Sequence, residues 1–205
     1  MNAHIIDDDP AIRQMISTIF AEERIPASLY ASGAEFLSRG VAAKSGCIVL
    51  DLKMPGMEGL ELLERLRGLD CQLPVIIISG HADVADAVRG MQLGATDLLQ
   101  KPFKIDKLVS LVRTALASNA AALEEQEKSN QIRARFEALT PRELEMVQHI
   151  VAGSSSKAIA RSLNISVRTV ANHRAHLMAK TRASNAADLA RLATIAGLLP
   201  AQSSS

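Results

Sequence analysis

Side chains able to do metal and phosphoryl chemistry stand at the ends of four β-rich runs of this 205-residue chain. Asp7 and Asp8 close AHIIDD, Asp51 closes CIVLD, Ser79 closes PVIIIS, and Lys101 follows TDLLQ ahead of Pro102. In an open parallel sheet such residues gather at the carboxyl edge, where ligands bind beside the topological switch point. Carboxylates suit a hard divalent cation such as Mg²⁺ or Mn²⁺. Mg²⁺ takes octahedral oxygen ligands and keeps waters, so one or two carboxylates and a phosphate satisfy it. On this reading Asp8, Asp51 and one backbone carbonyl past Asp51 supply the protein oxygens, and Asp7 acts through a bound water. Asp51 as nucleophile attacks a phosphoryl donor and forms an acyl phosphate. The metal and Lys101 offset charge on the phosphoryl oxygens, because positioning and electrostatics carry most of such catalysis.

Taken singly, each residue has a plainer role. Asp7-Asp8-Asp9 reads as a solvated turn, with Asp9 capping a helix that has Pro10 at its first position. Ser79 and Asp51 read as turn residues, and Lys101 as a surface charge. Their conjunction at successive strand ends is what favours chemistry.

The elements that must position them follow from the apolar pattern. Strands read at 3–7, 26–30, 46–51, 74–78 and 95–99, and helices at 10–23, 33–40, 58–68, 83–93 and 104–117. The run PVIII is continuously apolar, as expected of a strand covered on both faces. Five βα units predict a doubly wound α/β domain over residues 1–117, a five-stranded parallel sheet with helices on both sides. Residues 118–138 lack Gly and Pro and are rich in Ala, Glu and Arg, so they read as a helical linker. A second, all-α domain of four helices follows over 139–199, near 141–151, 155–163, 166–180 and 185–196. Thr140-Pro141-Arg142-Glu143 combines a capping box with proline at the first helical position. PAQSSS, residues 200–205, reads as a disordered tail.

In the second domain Ile159, Leu163, Ile165, Val170, Leu177 and Met178 are spaced for two short helices packed at a turn. Asn164 can take the left-handed conformation of that turn, and Ser166 can cap the next helix. Val147 and Ile150 read as core. Arg168, Arg174 and Lys180 lie along the 166–180 helix with Lys157 and Arg161 nearby, a set able to contact phosphates. Alone, the segment is equally a helical bundle with solvated charges.

The net charge of +1 hides an asymmetry. Residues 1–118 sum to −3 and residues 139–205 to +5, consistent with metal or phosphate chemistry in front and polyanion binding behind. Cys47 and Cys71 lack metal-ligand spacing and read as thiols. No apolar run reaches membrane-spanning length, and the start has no secretory pattern, so a cytoplasmic protein without membrane partners is expected.

Two stretches resemble known families. HIIDDDPAIR, LDLKMPGMEGLELL, VIIISGHADVADAV and MQLGATDLLQKPF, in that order, resemble a two-component receiver domain, nearest the FixJ subgroup with its SGHADV and KPF. The resemblance implies a flavodoxin-like sheet of order 2-1-3-4-5, with Asp51 as phosphoacceptor and Asp7 and Asp8 as metal carboxylates. It also implies that Lys53 gives its backbone carbonyl to the metal, that Ser79 is the switch hydroxyl, that Lys101 contacts the phosphoryl group, and that Lys101-Pro102 is cis. Leu98 departs from the pattern, occupying a position commonly aromatic in receivers, which leaves Ser79 to couple to its surroundings by packing.

LTPRELEMVQHIVAG, SKAIARSLNIS, RTVANHRAHLMAK and the closing ADLARLA resemble a LuxR-type helix-turn-helix. The resemblance implies that 166–180 enters the major groove, with Ala171, Asn172 and Ala175 facing bases and Arg168, Thr169, Arg174 and Lys180 facing phosphates. His173 is assigned packing or backbone contact. Leu189 and Leu192 are candidates for the dimer contact on DNA, with core packing the alternative. Together the resemblances imply a response regulator of the FixJ/NarL class. Its expected partners are a sensor histidine kinase, double-stranded promoter DNA, a second copy of itself on phosphorylation, and RNA polymerase. Its only expected catalysis is its own phosphorylation and dephosphorylation. Two other classes stay open: a DNA-binding regulator indifferent to phosphorylation, and an Asp-nucleophile phosphohydrolase, for which no general acid is evident.

Overall fold

The computed structural model describes residues 1–39, 45–80 and 84–199. The chain divides into two compact units, Met1–Leu123 and a second beginning at Glu124.

The first unit alternates strands and helices: β1 Asn2–Ile6, α1 Pro10–Glu22, β2 Ala27–Tyr30, α2 Gly33–Arg39, β3 Gly46–Asp51, α3 Gly59–Gly68, β4 Val75–Ser79, α4 Val84–Gln92, β5 Asp97–Gln100 and α5 Ile105–Glu137. All strand pairs are parallel, in the order β2-β1-β3-β4-β5. The reversal of order beside β1 makes the switch point between β1 and β3. Strand alternation divides the core. Ile5, Val49, Ile76 and Ile78 pack on one face against Ile16 and Phe20 of α1 and Leu108 and Val112 of α5. Ile6, Ile48, Leu50 and Ile77 pack on the other against Phe36 of α2 and Leu62, Leu63 and Leu66 of α3. β3 and β4 are buried at every residue, which explains why their sequences run apolar without alternation.

Asp9 caps α1, accepting from the Ala11 N–H, with Pro10 in the first turn. β5 begins two residues later than the pattern predicts. Ala95 donates its N–H to the Gly90 carbonyl, completing the turn after α4, and Gly94 takes φ +83° there. Residue 40 of the helix read at 33–40, residue 83 of that at 83–93, and the tail 200–205 lie outside the described residues.

α5 continues without interruption through the stretch read as a helical linker and ends at Glu137. The division between units falls within it. In the second unit follow α6 Pro141–Val151, α7 Ser156–Leu163, α8 Val167–Thr181 and α9 Ala186–Ile195. Phe136, Met146, Val147, Ile150, Ile159, Leu163, Val170 and Leu177 form its core, with Ile165 and Met178 packed against it. Each helix start is capped as its sequence dictates. Thr140 and Glu143 form the reciprocal capping box, Ser155 caps α7, and Ser166 caps α8. Asn164 ends α7 in the left-handed conformation at φ 52°, which turns the chain into α8.

Candidate functional site

Parallel pairing brings the polar strand ends to one edge. Asp51 stands opposite Ile78, and Ser79 opposite Gln100, the residue before Lys101. Lys101 reaches back across the edge, its Nζ 2.8 Å from Asp7 Oδ2 and 2.9 Å from Asp51 Oδ1. Its backbone N–H bonds the Ser79 carbonyl at 2.8 Å, and the Lys101-Pro102 bond is cis. Asp7, Asp51 and Ser79 are buried, whereas Asp8 is exposed.

Carboxylate oxygens of Asp7, Asp8 and Asp51 all lie within 4.8 Å of one another. Three oxygen donors without sulfur or imidazole, one of them open to solvent, fit a hard divalent cation that retains waters. Burial pushes the Asp51 carboxyl up from its usual range, and the charge of Asp7 adds to that. The hydrogen bond and charge of Lys101 and the Lys53 N–H oppose it without reversing it. Burial pulls the Lys101 ammonium down, but its bonds to Asp7 and Asp51 outweigh this and hold it above its ordinary value. The site thus holds a fixed cation against two carboxylates in a poorly solvated edge, where electrostatic interactions are strong.

Other residues hold this geometry in place. Arg13, on α1, donates from Nη1 to the Asp7 carbonyl at 2.6 Å, and the Asp9 N–H bonds Asp7 Oδ1 at 2.9 Å. The Lys53 N–H bonds Asp51 Oδ2 at 3.1 Å, while its exposed side chain lies 3.4 Å from Asp86 on α4. Gly59 lies so close behind β3 that an added Cβ would stand 2.3 Å from the Asp51 carbonyl. Leu98, opposite Ile77, is half-buried and packs against the α2–α3 side of the core.

In the second unit, α8 presents Arg168, Ala171, Asn172 and Ala175 to solvent, with Lys157 exposed on α7. Thr169 and Arg174 are half-buried, and the Thr169 hydroxyl bonds that of Ser166 at 2.8 Å. Lys180 is exposed, but its Nζ bonds Glu143 Oε1 at 2.6 Å, joining α8 to the capping box of α6. That bond, with the Thr140 N–H, holds the Glu143 carboxyl down at about 2. His173 is exposed. The expectation that Leu189 and Leu192 form a dimer contact is corrected. They are 0% and 4% exposed and belong to the unit's own core, so neither offers surface to a second copy.

Residues 3–113 match the response regulator receiver domain, and residues 137–193 match the bacterial regulatory proteins of the luxR family. The transcriptional regulatory protein FixJ of Azorhizobium caulinodans is 38% identical over 97% of this chain and 94% of its own length. The C4-dicarboxylate transport transcriptional regulatory protein DctR of Rhodobacter capsulatus is 38% identical over 92% of this chain and 97% of its own. The chain belongs to the response regulators with a LuxR-type DNA-binding domain. Among solved structures, response regulator StyR aligns with a TM-score of 0.86 at 31% identity, covering 94% of this chain and 98% of its own. Full-length FixJ from B. japonicum aligns with a TM-score of 0.59 at 36% identity, covering 97% of this chain and 98% of its own.

A response regulator of this architecture is a two-component transcriptional regulator, with a histidine kinase upstream and DNA downstream. Among the described residues no helix is long and apolar enough to cross a membrane. The sequence points to the charged edge of the regulator's receiver but not to Arg13 and Gly59 as its supports, nor, within the second unit, to the tie between Glu143 and Lys180. The signals were present in part: Arg13 sits one turn into α1, and the capping box names Glu143 without naming Lys180.

Proposed function

We propose that the chain is a phosphorylation-activated transcriptional regulator, working in the cytoplasm, whose Asp51 accepts a phosphoryl group from a partner histidine kinase. The observation that carries this reading is the double contact of Lys101 Nζ with Asp7 and Asp51 at the switch-point edge. The Asp51 carboxylate attacks phosphorus in line, and the phosphorus–nitrogen bond to the kinase histidine breaks as the acyl phosphate forms. Asp7, Asp8, Asp51 and the Lys53 carbonyl would hold Mg²⁺, or Mn²⁺ in its place, and the ion would supply positive charge to offset that on the transferring group. Lys101 exchanges its contact with Asp51 Oδ1 for one with the phosphoryl oxygens, and the Ser79 hydroxyl turns toward them. The site serves the regulator's own phosphorylation and dephosphorylation and turns over no other substrate.

The reading assigns residues 1–117 to the receiver, 118–138 to a helical linker, and 139–199 to the DNA-binding domain. Movement at Ser79 and Lys101 propagates to the face of α4, β5 and α5, where Val84, Val88 and Met91 are exposed on α4. Pairing of two receivers there raises the local concentration of two DNA-binding domains over paired half-sites. α8 enters the major groove with Ala171, Asn172 and Ala175 toward bases, and its Arg168, Thr169 and Arg174, with Lys157 of α7, face phosphates. Lys180 reaches a phosphate only by leaving Glu143. RNA polymerase is the partner through which promoter occupancy acts.

The test is the intact mass of wild type and Asp51→Asn after incubation with a small phosphodonor and Mg²⁺. One added phosphoryl group in wild type alone is the expected result. An equal adduct on the variant would sink the assignment.

A further inference from the structure

The second unit carries a cationic groove that lies apart from the residues assigned to DNA above. Lys128 and Arg135 of α5, Arg182 just beyond α8, and Arg191 of α9 line it together with Ile132. Lys128 and Arg135 fall outside both family-matched segments. The one carboxylate in the lining, Asp188, is already engaged. Its Oδ1 accepts from Arg191 at 2.9 Å, and its Oδ2 accepts from the Ser184 N–H at 2.9 Å and hydroxyl at 3.1 Å. Among the described residues, Lys128, Arg135 and Arg182 make no ion pair. Gathered cations repel one another unless an anion lies between them.

Arg182 supplies a second, independent observation. It holds φ 58° and ψ 31°, the left-handed cap that ends α8 and that glycine adopts without steric cost. Arginine gains nothing over glycine for that backbone, and its side chain is exposed. Its place along the helix points to the ligand. Arg168, Ala171, Asn172, Ala175 and Ala179 are exposed on α8 at helical spacing, and Arg182, exposed too, stands where the helix ends three residues after Ala179. The 15 residues of α8 span about 22 Å, whereas the major groove is about 12 Å wide. A helix reading bases near its start therefore carries its far end out to the sugar–phosphate backbone.

The geometry points to a phosphate clamp: Lys128, Arg135, Arg182 and Arg191 grip backbone phosphates of duplex DNA flanking the bases that α8 reads. The inference rests on the DNA-binding reading and extends the interface to a segment of α5. Gripping phosphates releases counterions, so each lost contact lowers the steepness of the salt dependence by about 1.

The experiment is a salt series of full-length protein binding a mixed-sequence duplex, read by fluorescence anisotropy. The double variant Arg135→Gln/Arg182→Gln is expected to bind with a logarithmic salt slope shallower by about 2. Arg182→Gly suits the backbone, so it keeps or raises the thermal midpoint while losing about 1 from the slope. Arg39→Gln, in the first unit, removes a charge without changing the slope. Wild-type binding with unchanged slopes in both groove variants would overturn the clamp alone and leave these cations to an acidic protein partner. Wild type that binds no duplex would overturn the DNA-binding reading together with it.

Discussion

The acidic edge of the receiver and the exposed face of α8 are both charged sites, and they are built oppositely. At the edge, Asp7 and Asp51 are buried and held to one ammonium within 3 Å, so each oxygen's position is fixed before any ligand arrives. On α8, Arg168, Ala171, Asn172 and Ala175 stand in solvent. A buried, preorganised constellation declares its chemistry, because few reactions need two carboxylates, an ammonium and a hydroxyl in that arrangement. An exposed helix face declares only that it meets something polyanionic, and which bases it reads depends on how the helix turns in the groove.

The comparison predicts that single substitutions cost most at the edge. Lys101→Ala leaves two buried carboxylates facing each other, and truncating one partner of a buried pair costs about 3 kcal/mol or more. Urea unfolding should show that loss, with millimolar Mg²⁺ restoring part of it; a change below 1 kcal/mol would mean that the edge is solvated like a surface. Gly59→Ala drives a methyl into the Asp51 carbonyl and should cost about 1–3 kcal/mol while slowing phosphorylation. Thermal unfolding with phosphorylation kinetics measures both, and an unperturbed rate would show that the β3–α3 loop yields freely.

In the second unit the expected effects are smaller. Thr140→Ala removes the α6 cap and should cost about 1 kcal/mol. Glu143 titrates at about 2 in the fold, below its value in the unfolded chain, so its contribution is complete above about pH 4.5 and fades as pH falls toward 2. Acid unfolding of Glu143→Gln should lack that part of the slope; an identical acid profile would remove the Lys180–Glu143 bond from the account. Asn172→Ala should leave stability unchanged and relax preference at one base pair by about 1 kcal/mol, read by competition among substituted duplexes.

Legibility followed the same divide. Apolar runs, helix caps and polar strand ends are local signals, and the five-stranded parallel sheet, the Asp9, Thr140 and Ser166 caps and the left-handed Asn164 all follow from them, whereas the strand order β2-β1-β3-β4-β5 came only with the family resemblance. Arg13 against the Asp7 carbonyl and Lys180 against Glu143 are pairings of flexible side chains that no spacing announces. Leu189 and Leu192 show the limit from another side. An apolar stripe has the same period whether it faces its own domain or a second copy, and only packing decides. β5 begins two residues late because the turn out of α4 runs through Gly94 and is closed by Ala95, a choice of turn that strand propensity does not register.

The central claim is that phosphorylation at Asp51 governs DNA affinity. The direct measurement is equilibrium binding of wild type and Asp51→Asn to a duplex selected from a random pool, with and without a small phosphodonor and Mg²⁺. The account predicts that the donor tightens wild-type binding by about tenfold, a coupling of about 1.4 kcal/mol, and leaves the variant unchanged. Equal affinities in all four conditions would contradict it and identify a regulator that binds DNA without regard to its acidic site.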